Sequence, residues 1–233
     1  MMIRWEPLAR QSVQDVTTFL WPQRCPGCGV PPARGALLCA ACLERIPRFS
    51  LPLCARCLAH EAADPVCAKH PGFRVWPAWL YDERAALAIE AFKYGQRTDL
   101  AAGFASELVR VVPPGFPADV VTEVPLHPAR ERERGYNQSA LLAARLASAA
   151  GLPYVPRVLE RVRATRAQAR LGPTDRRRNL LDAFRVRHPE QWAGRRTLVV
   201  DDVITTGATL EAALAVLGAA GVRAEALALA WAQ

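Results

Sequence analysis

The chain is poor in lysine: Lys69 and Lys93 are the only two among its 30 cationic side chains, so 28 are arginine. Neither lysine stands in a G-x-x-x-x-G-K-[ST] loop, since Ala68 and Phe92 precede them, and this excludes the phosphate loop of nucleoside triphosphatases. Long apolar runs are missing too, with no stretch of about 18 apolar residues, so no membrane span is expected. The start, M-M-I-R-W-E-P-L, carries Glu6 early and lacks the apolar centre of a secretory signal, which points to a cytoplasmic protein. Cysteine is absent after residue 67, and all seven copies crowd into the amino-terminal third. A scatter of buried core thiols would not be so confined.

What is present suits one full α/β domain plus a small module: 233 residues, 51% of them apolar. The formal charge of +8 permits a nucleic-acid partner without requiring one. The arginine bias fits planar recognition of phosphate, and it equally fits a GC-rich genome.

The cysteines fall in pairs of equal spacing: Cys25-x-x-Cys28, Cys39-x-x-Cys42, Cys54-x-x-Cys57 and Cys67-x-x-His70. Two intervening residues let a tight knuckle aim both ligands at one ion, and four such ligands complete a tetrahedral zinc shell. Disulfides do not suit a reducing compartment, and a redox C-x-x-C would need a thioredoxin-like βαβ pattern. Sequential pairing gives one ion to Cys25, Cys28, Cys39 and Cys42 and a second to Cys54, Cys57, Cys67 and His70; interleaved pairing stays open. Filled by protein ligands alone, such sites are structural. His60, Glu61 and Asp64 resemble a metalloprotease helix only superficially, because the second histidine is missing.

The chemistry-bearing stretch is Thr197–Leu210, T-L-V-V-D-D-V-I-T-T-G-A-T-L. Thr197 to Val200 form a β-branched run that reads as a buried strand, and Asp201 and Asp202 stand at its carboxyl end, where open α/β sheets place ligands. Thr205, Thr206, Gly207, Ala208 and Thr209 make a small, hydroxyl-rich turn. From Thr209 the residues Leu210, Ala213, Leu214 and Leu217 recur at helical spacing, so the turn heads a helix whose free N–H groups suit a phosphate. A phosphate cradle beside a diol-binding acidic pair is the result.

Elsewhere, residues 13–21 suit a short amphipathic helix, and Val75–Tyr81 an edge strand tolerant of Pro77. Asp82 caps a helical pattern through Ala85, Leu87, Ile89 and Phe92. Lys93–Arg97 then reads as its C-cap, with Gly95 left-handed and room for a second role at a phosphate site. A further helix runs from Thr98 or Asp99 to about Val112, a strand covers Val120–Pro125, and Gln138–Ala150 is a helix burying Leu141, Leu142, Leu146 and Ala149. Between Arg161 and Arg178 seven arginines face one acid, Asp175. Like charges at that density favour an exposed loop or an anion partner.

The Thr197–Leu210 stretch resembles the signature of type I phosphoribosyltransferases, which bind 5-phosphoribosyl-1-diphosphate (PRPP). The resemblance implies an α/β fold with a parallel sheet flanked by helices. It makes Asp201 and Asp202 the ribose-diol and catalytic pair, and Thr205, Thr206, Gly207, Ala208 and Thr209 the 5-phosphate turn. It also places a diphosphate loop at Pro125–Arg130, with Leu126, His127 and Arg130, and a hood loop near 161–180, with Arg163, Thr165, Gln168 and Arg176. Magnesium would accompany PRPP.

Together, C-P-G-C, F-K-Y-G-Q-R, V-P-L-H-P-A-R, R-G-Y-N-Q, R-x-R-A-T-R-A-Q, R-R-x-N-L-L-D-A-F and V-D-D-V-I-T-T-G-A-T are similar, in that order, to the ComF/GntX family. His70 stands where that family suggests cysteine, and zinc accepts either. The family resemblance implies a helix and zinc-ribbon module at residues 1–72 and a phosphoribosyltransferase-like domain at 73–233. It implies a role in natural transformation, with PRPP, single-stranded DNA and competence or recombination-mediator proteins as partners. Trp76 and Trp79 are conceivable stacking platforms but fit a core better. The alternative is an active enzyme that transfers phosphoribosyl to a nucleobase or amine and releases diphosphate.

Overall fold

A computed structural model of the chain describes residues 24–33, 36–49, 51–60, 67–113, 115–162 and 183–233. The amphipathic segment 13–21 and the hood candidates Arg163, Thr165, Gln168 and Arg176 lie outside the described residues. The chain divides into two compact units, residues 1–45 and 46–233.

In the first unit Cys25 begins a turn in which its carbonyl accepts from Gly29 N at 2.8 Å, and Cys39 opens the short helix α1 (Ala40–Glu44). Leu38, Cys25 and Cys42 supply its small buried centre.

The second unit is built on a five-stranded sheet in the order β1 (Leu53–Cys54), β2 (Arg74–Leu80), β7 (Arg223–Trp231), β6 (Arg196–Ile204), β3 (Val120–Glu123). Strands β2, β7, β6 and β3 are mutually parallel, as expected, and β1 adds an antiparallel edge. That edge strand contains Cys54, so a metal-ligand segment is woven into the sheet. It faces only Val75 and Arg74, and Pro77 lies beyond its reach, so the missing proline N–H breaks no β1 ladder. Past β1, the segment Pro47–Phe49 borders β2 through Phe49 N to Ala78 O at 3.1 Å and Leu80 N to Pro47 O at 2.8 Å.

Helix α2 (Glu83–Tyr94) is capped by Asp82, whose carboxylate accepts from Arg84 N and Ala85 N. It buries Ala85, Ala88, Ile89 and Phe92, whereas Leu87 is 38% exposed and lies outside the buried stripe. Gly95 is not left-handed, with φ −89°; the following Gln96 takes that role at φ 53°. Glycine at position 95 answers a different need, since a Cβ there would meet the Ala91 carbonyl oxygen at 2.7 Å.

Helix α3 (Ala101–Val109) follows a single 3-10 turn and packs on α5 (Gln138–Ala150), which covers β3 and β6. The face that α5 buries comprises Leu142, Ala143, Leu146 and Ala147; Leu141 is half-buried and Ala149 exposed, a small rotation from the expected stripe. Between β3 and α5 the chain forms α4 (Pro128–Arg134), a short helix where the sequence suggested only a loop. Antiparallel β4 (Leu159–Arg161) and β5 (Phe184–Val186) bracket residues 163–182. Helix α6 (Ala208–Ala219) lies on the sheet with Leu210, Ala213, Leu214 and Leu217 against Val199, Ala226 and Ala228.

Trp76 and Trp79 are core residues, 8% and 0% exposed, and cannot serve as stacking platforms. Their indole N–H groups are satisfied by buried carboxylates, Trp76 by Glu225 at 2.7 Å and Trp79 by Glu107 at 3.4 Å. Arg74 and Arg48 bring the balancing charges.

Candidate functional site

Strand β6 runs further than its apolar core suggested, through Asp201 and Asp202 to Ile204, because β7 continues to pair with it at Asp201↔Ala228, Val203↔Ala230 and Ile204↔Trp231. The acidic pair therefore sits on rigid strand rather than at a loose end. Asp201 Oδ1 accepts from Ser139 Oγ and from Asp202 N, both at 2.9 Å, and Asp202 Oδ2 meets Lys93 Nζ at 3.0 Å. Ser139 is presented by the first turn of α5, which Asn137 caps while also donating to the Val124 carbonyl. Neither Ser139 nor the Lys93–Asp202 pairing was legible beforehand, since both partners lie far away in the chain.

Burial pushes the Asp201 carboxyl up to about 7, and the neighbouring Asp202 charge adds to the effect against the pull of the Asp202 N–H, Ser139 and Lys93. Two more cations stand close by. Arg161, at the end of β4, is lowered by its own burial and by the Arg130 charge, while Asp201 favours its charged form. The site thus gathers Lys93, Arg130 and Arg161 around two carboxylates, a balance suited to a ligand carrying both a diol and phosphates.

Thr205, Thr206 and Gly207 link β6 to α6, and together with Ala208 and Thr209 they line a small concavity that also touches Asp201. Gly207 is the N-cap of α6 and is left-handed, φ 74°. The Ala55 carbonyl oxygen would lie 2.0 Å from a Cβ placed there, so only glycine fits. Ala55 belongs to the Cys54–Cys57 knuckle, and Arg56 next to it pairs at 2.9 Å with Glu211, a buried residue in the first turn of α6. The knuckle therefore fixes the turn from behind.

Of the residues expected to face a diphosphate, Leu126 and His127 are half-buried and Arg130 is exposed. His127 caps α4, its Nδ1 accepting from Ala129 N at 3.2 Å, with Pro128 at the first helical position.

The structure brings the eight expected metal ligands together in sequential, not interleaved, sets. Cys25, Cys28, Cys39 and Cys42 form one, and Cys54, Cys57, Cys67 and His70 the other; within each set the ligand atoms lie within 4.8 Å of one another. His70 turns Nδ1 to Cys54 and Cys67, each at 3.6 Å. Crowded thiols cannot all ionise unaided. The Cys28 thiol and burial push Cys42 up to about 12, and burial pushes Cys54 to about 11. Although burial opposes it, the Cys39 and Gly27 N–H groups draw Cys25 down to about 6. A soft or borderline dication would reverse the penalty, and both donor sets fit zinc.

Sheet, turn and ligand sets together define a phosphoribosyltransferase-type α/β unit joined to a double zinc ribbon. Residues 16–69 match the double zinc ribbon domain family and residues 136–233 the phosphoribosyl transferase domain family. DNA utilization protein YhgH of Salmonella typhi is 33% identical over 192 residues, which cover 80% of this chain and 74% of that protein. Competence protein F of Haemophilus influenzae is 31% identical over 189 residues, 74% of this chain and 80% of that one. A looser likeness is to adenine phosphoribosyltransferase of Leishmania tarentolae, 15% identical with a TM-score of 0.36 over 58% of this chain and 71% of that chain. The chain belongs to the ComF/GntX family, with YhgH and Competence protein F, and is a competence-related, phosphoribosyltransferase-like protein. Among the described residues no helix is long and apolar enough to cross a membrane.

Two substitutions probe this geometry. Gly207→Ala is expected to cost about 2–5 kcal/mol, from left-handed strain and the clash with Ala55, read as a fall in the urea midpoint. For Asp201, the folded state holds its proton up to about pH 7 against 3.8 for the ordinary value, so its contribution to stability is present at low pH and is lost as pH rises through that window. Asp201→Asn keeps the acceptor oxygen and removes the charge. It should stabilise the ligand-free protein by about 1–2 kcal/mol at pH 8, allowing for screening, with the gain vanishing towards pH 4 in parallel melts.

Proposed function

We propose that this chain binds PRPP and acts in natural transformation, handling single-stranded DNA at the cytoplasmic side and passing it to competence or recombination-mediator proteins. The observation that carries the PRPP reading is the rigid acidic pair running directly into a glycine-capped helix N-terminus. Asp201 and Asp202 accept from the ribose diol, and the Thr205–Thr209 turn donates backbone N–H and hydroxyl groups to the 5-phosphate. Arg130, Arg161 and Lys93 supply positive charge on the diphosphate side. Asp201 and Asp202 are hard oxygen donors of the kind magnesium takes, and the ion neutralises diphosphate charge when it accompanies PRPP. The hood candidates Arg163, Thr165, Gln168 and Arg176 belong to this reading through the family resemblance. The names of the relatives, one for DNA utilization and one for competence, support the DNA role.

PRPP with magnesium should raise the melting temperature by an amount corresponding to about 2.7 kcal/mol at a hundredfold excess over Kd. The double variant Asp201→Asn, Asp202→Asn should lose that gain, and a shift equal to the wild type's would sink the assignment. Metal analysis of the purified chain should return about two zinc ions, one for each four-ligand set. A single ion would mean that one set is not a zinc site.

A further inference from the structure

Beside the acidic pair lies a second recess, of which the PRPP reading uses only Lys93 and Arg130. Its lining is Lys93, Tyr94 and Gln96 from the end of α2, and Arg130, Glu133 and Arg134 from α4, around about 340 Å³ of open space. That volume lies within the range of small-ligand sites, about 300–1,000 Å³. Tyr94 is 73% exposed, the highest value among the exposed large hydrophobic side chains described. One such ring alone would mean little. Here the Arg134 guanidinium lies 4.9 Å from the ring centroid and is itself held by Gln138 Oε1 at 2.5 Å. The walls are braced as well, because the Tyr136 hydroxyl donates to the Phe92 carbonyl and ties the end of α2 to the α4–α5 junction.

The recess is cationic. Lys93, Arg130 and Arg134 face a single lining acid, Glu133, and no carboxylate among the described residues pairs with Arg130. An exposed aromatic face beside guanidinium groups is the arrangement that holds an unpaired base and its phosphate. Lys93, bonded to Asp202, forms the common wall with the PRPP site.

We propose that this recess binds one nucleotide unit, its base stacked on Tyr94 and its phosphate on Arg130 and Arg134. This rests on the DNA-handling reading and gives it a location. The unit is supplied either by a single strand or by a free mononucleotide.

The test uses the full chain and fluorescence anisotropy of a fluorescein-labelled oligothymidine at low salt, with unlabelled oligothymidine and dTMP as competitors. Tyr94→Ala is expected to weaken binding by about tenfold or more, the loss of one stacked base, while Tyr94→Phe retains it. Arg130→Gln should lower the salt slope by about one, and Arg145→Gln, exposed on α5 and no part of the lining, should leave affinity near the wild-type value. Competition by dTMP as effective as the oligonucleotide, nucleotide for nucleotide, would assign the recess to free nucleotides; a strong advantage for the oligonucleotide assigns it to a strand. Wild-type binding that Tyr94→Ala leaves unchanged overturns the location and spares the DNA reading. No binding of either ligand to a wild-type protein that still responds to PRPP overturns both the recess and the DNA reading, and spares the PRPP site.

Discussion

The contact on which the rest depends is the approach of the Ala55 carbonyl to Gly207. A Cβ at position 207 would stand 2.0 Å from that oxygen, so the two backbones approach too closely to admit a side chain between them. One backbone is the Cys54–Cys57 knuckle, the other the turn that opens α6. The Arg56–Glu211 pair repeats the link one turn further along. A cysteine knuckle and the turn that opens α6, separated by some 150 positions, thus share one wall, and β1 anchors the knuckle by pairing with β2. Metal at Cys54, Cys57, Cys67 and His70 would therefore stiffen the Thr205–Thr209 turn as well as the ribbon.

The electrostatics of the site follow from rigidity of a second kind. Because β6 keeps its ladder through Ile204, the backbone at Asp201 and Asp202 is held in place, and burial, with the Asp202 charge adding to it, raises Asp201. Lys93, Ser139 and the Asp202 N–H offset part of that cost without removing it. Burial and a like charge beside a carboxylate are the conditions under which hydrogen-bond donors or a cation brought by a ligand are favoured. Lys93 touches both the acidic pair and the Tyr94 recess, which makes it the natural point of communication between them.

Where the sequence pattern was strong, it was followed closely. The four equally spaced ligand pairs, the helix through Leu210, Ala213, Leu214 and Leu217, the Asp82 cap and the V-V-D-D strand are all local: each is set by residues within a few positions of one another. The departures are set by what lies alongside: Leu87 is 38% exposed and lies outside the side of α2 that its neighbours cover, and Gln96 rather than Gly95 turns left-handed while the Ala91 carbonyl keeps position 95 free of a Cβ. Helix α4 escaped notice because its R-E-R-E-R run has no apolar face, and it buries none of its residues. Its formation rests on the His127 cap, Pro128 and the Gly135 stop.

By itself the sequence determined the side-chain chemistry on offer: which thiols fall at knuckle spacing, which two carboxylates follow an apolar strand run, and where a hydroxyl-rich glycine turn heads a helix. These depend on spacing along the chain, and spacing is what a sequence records. Only the tertiary structure decided that Ser139 and Lys93 hold the two aspartates, that Arg161 stands near them, and that Tyr94 is open to solvent. Those facts depend on which faces the sheet buries and which distant segments it brings side by side. The same packing turned Gly207 from a permissive turn residue into one that the Ala55 carbonyl makes obligatory.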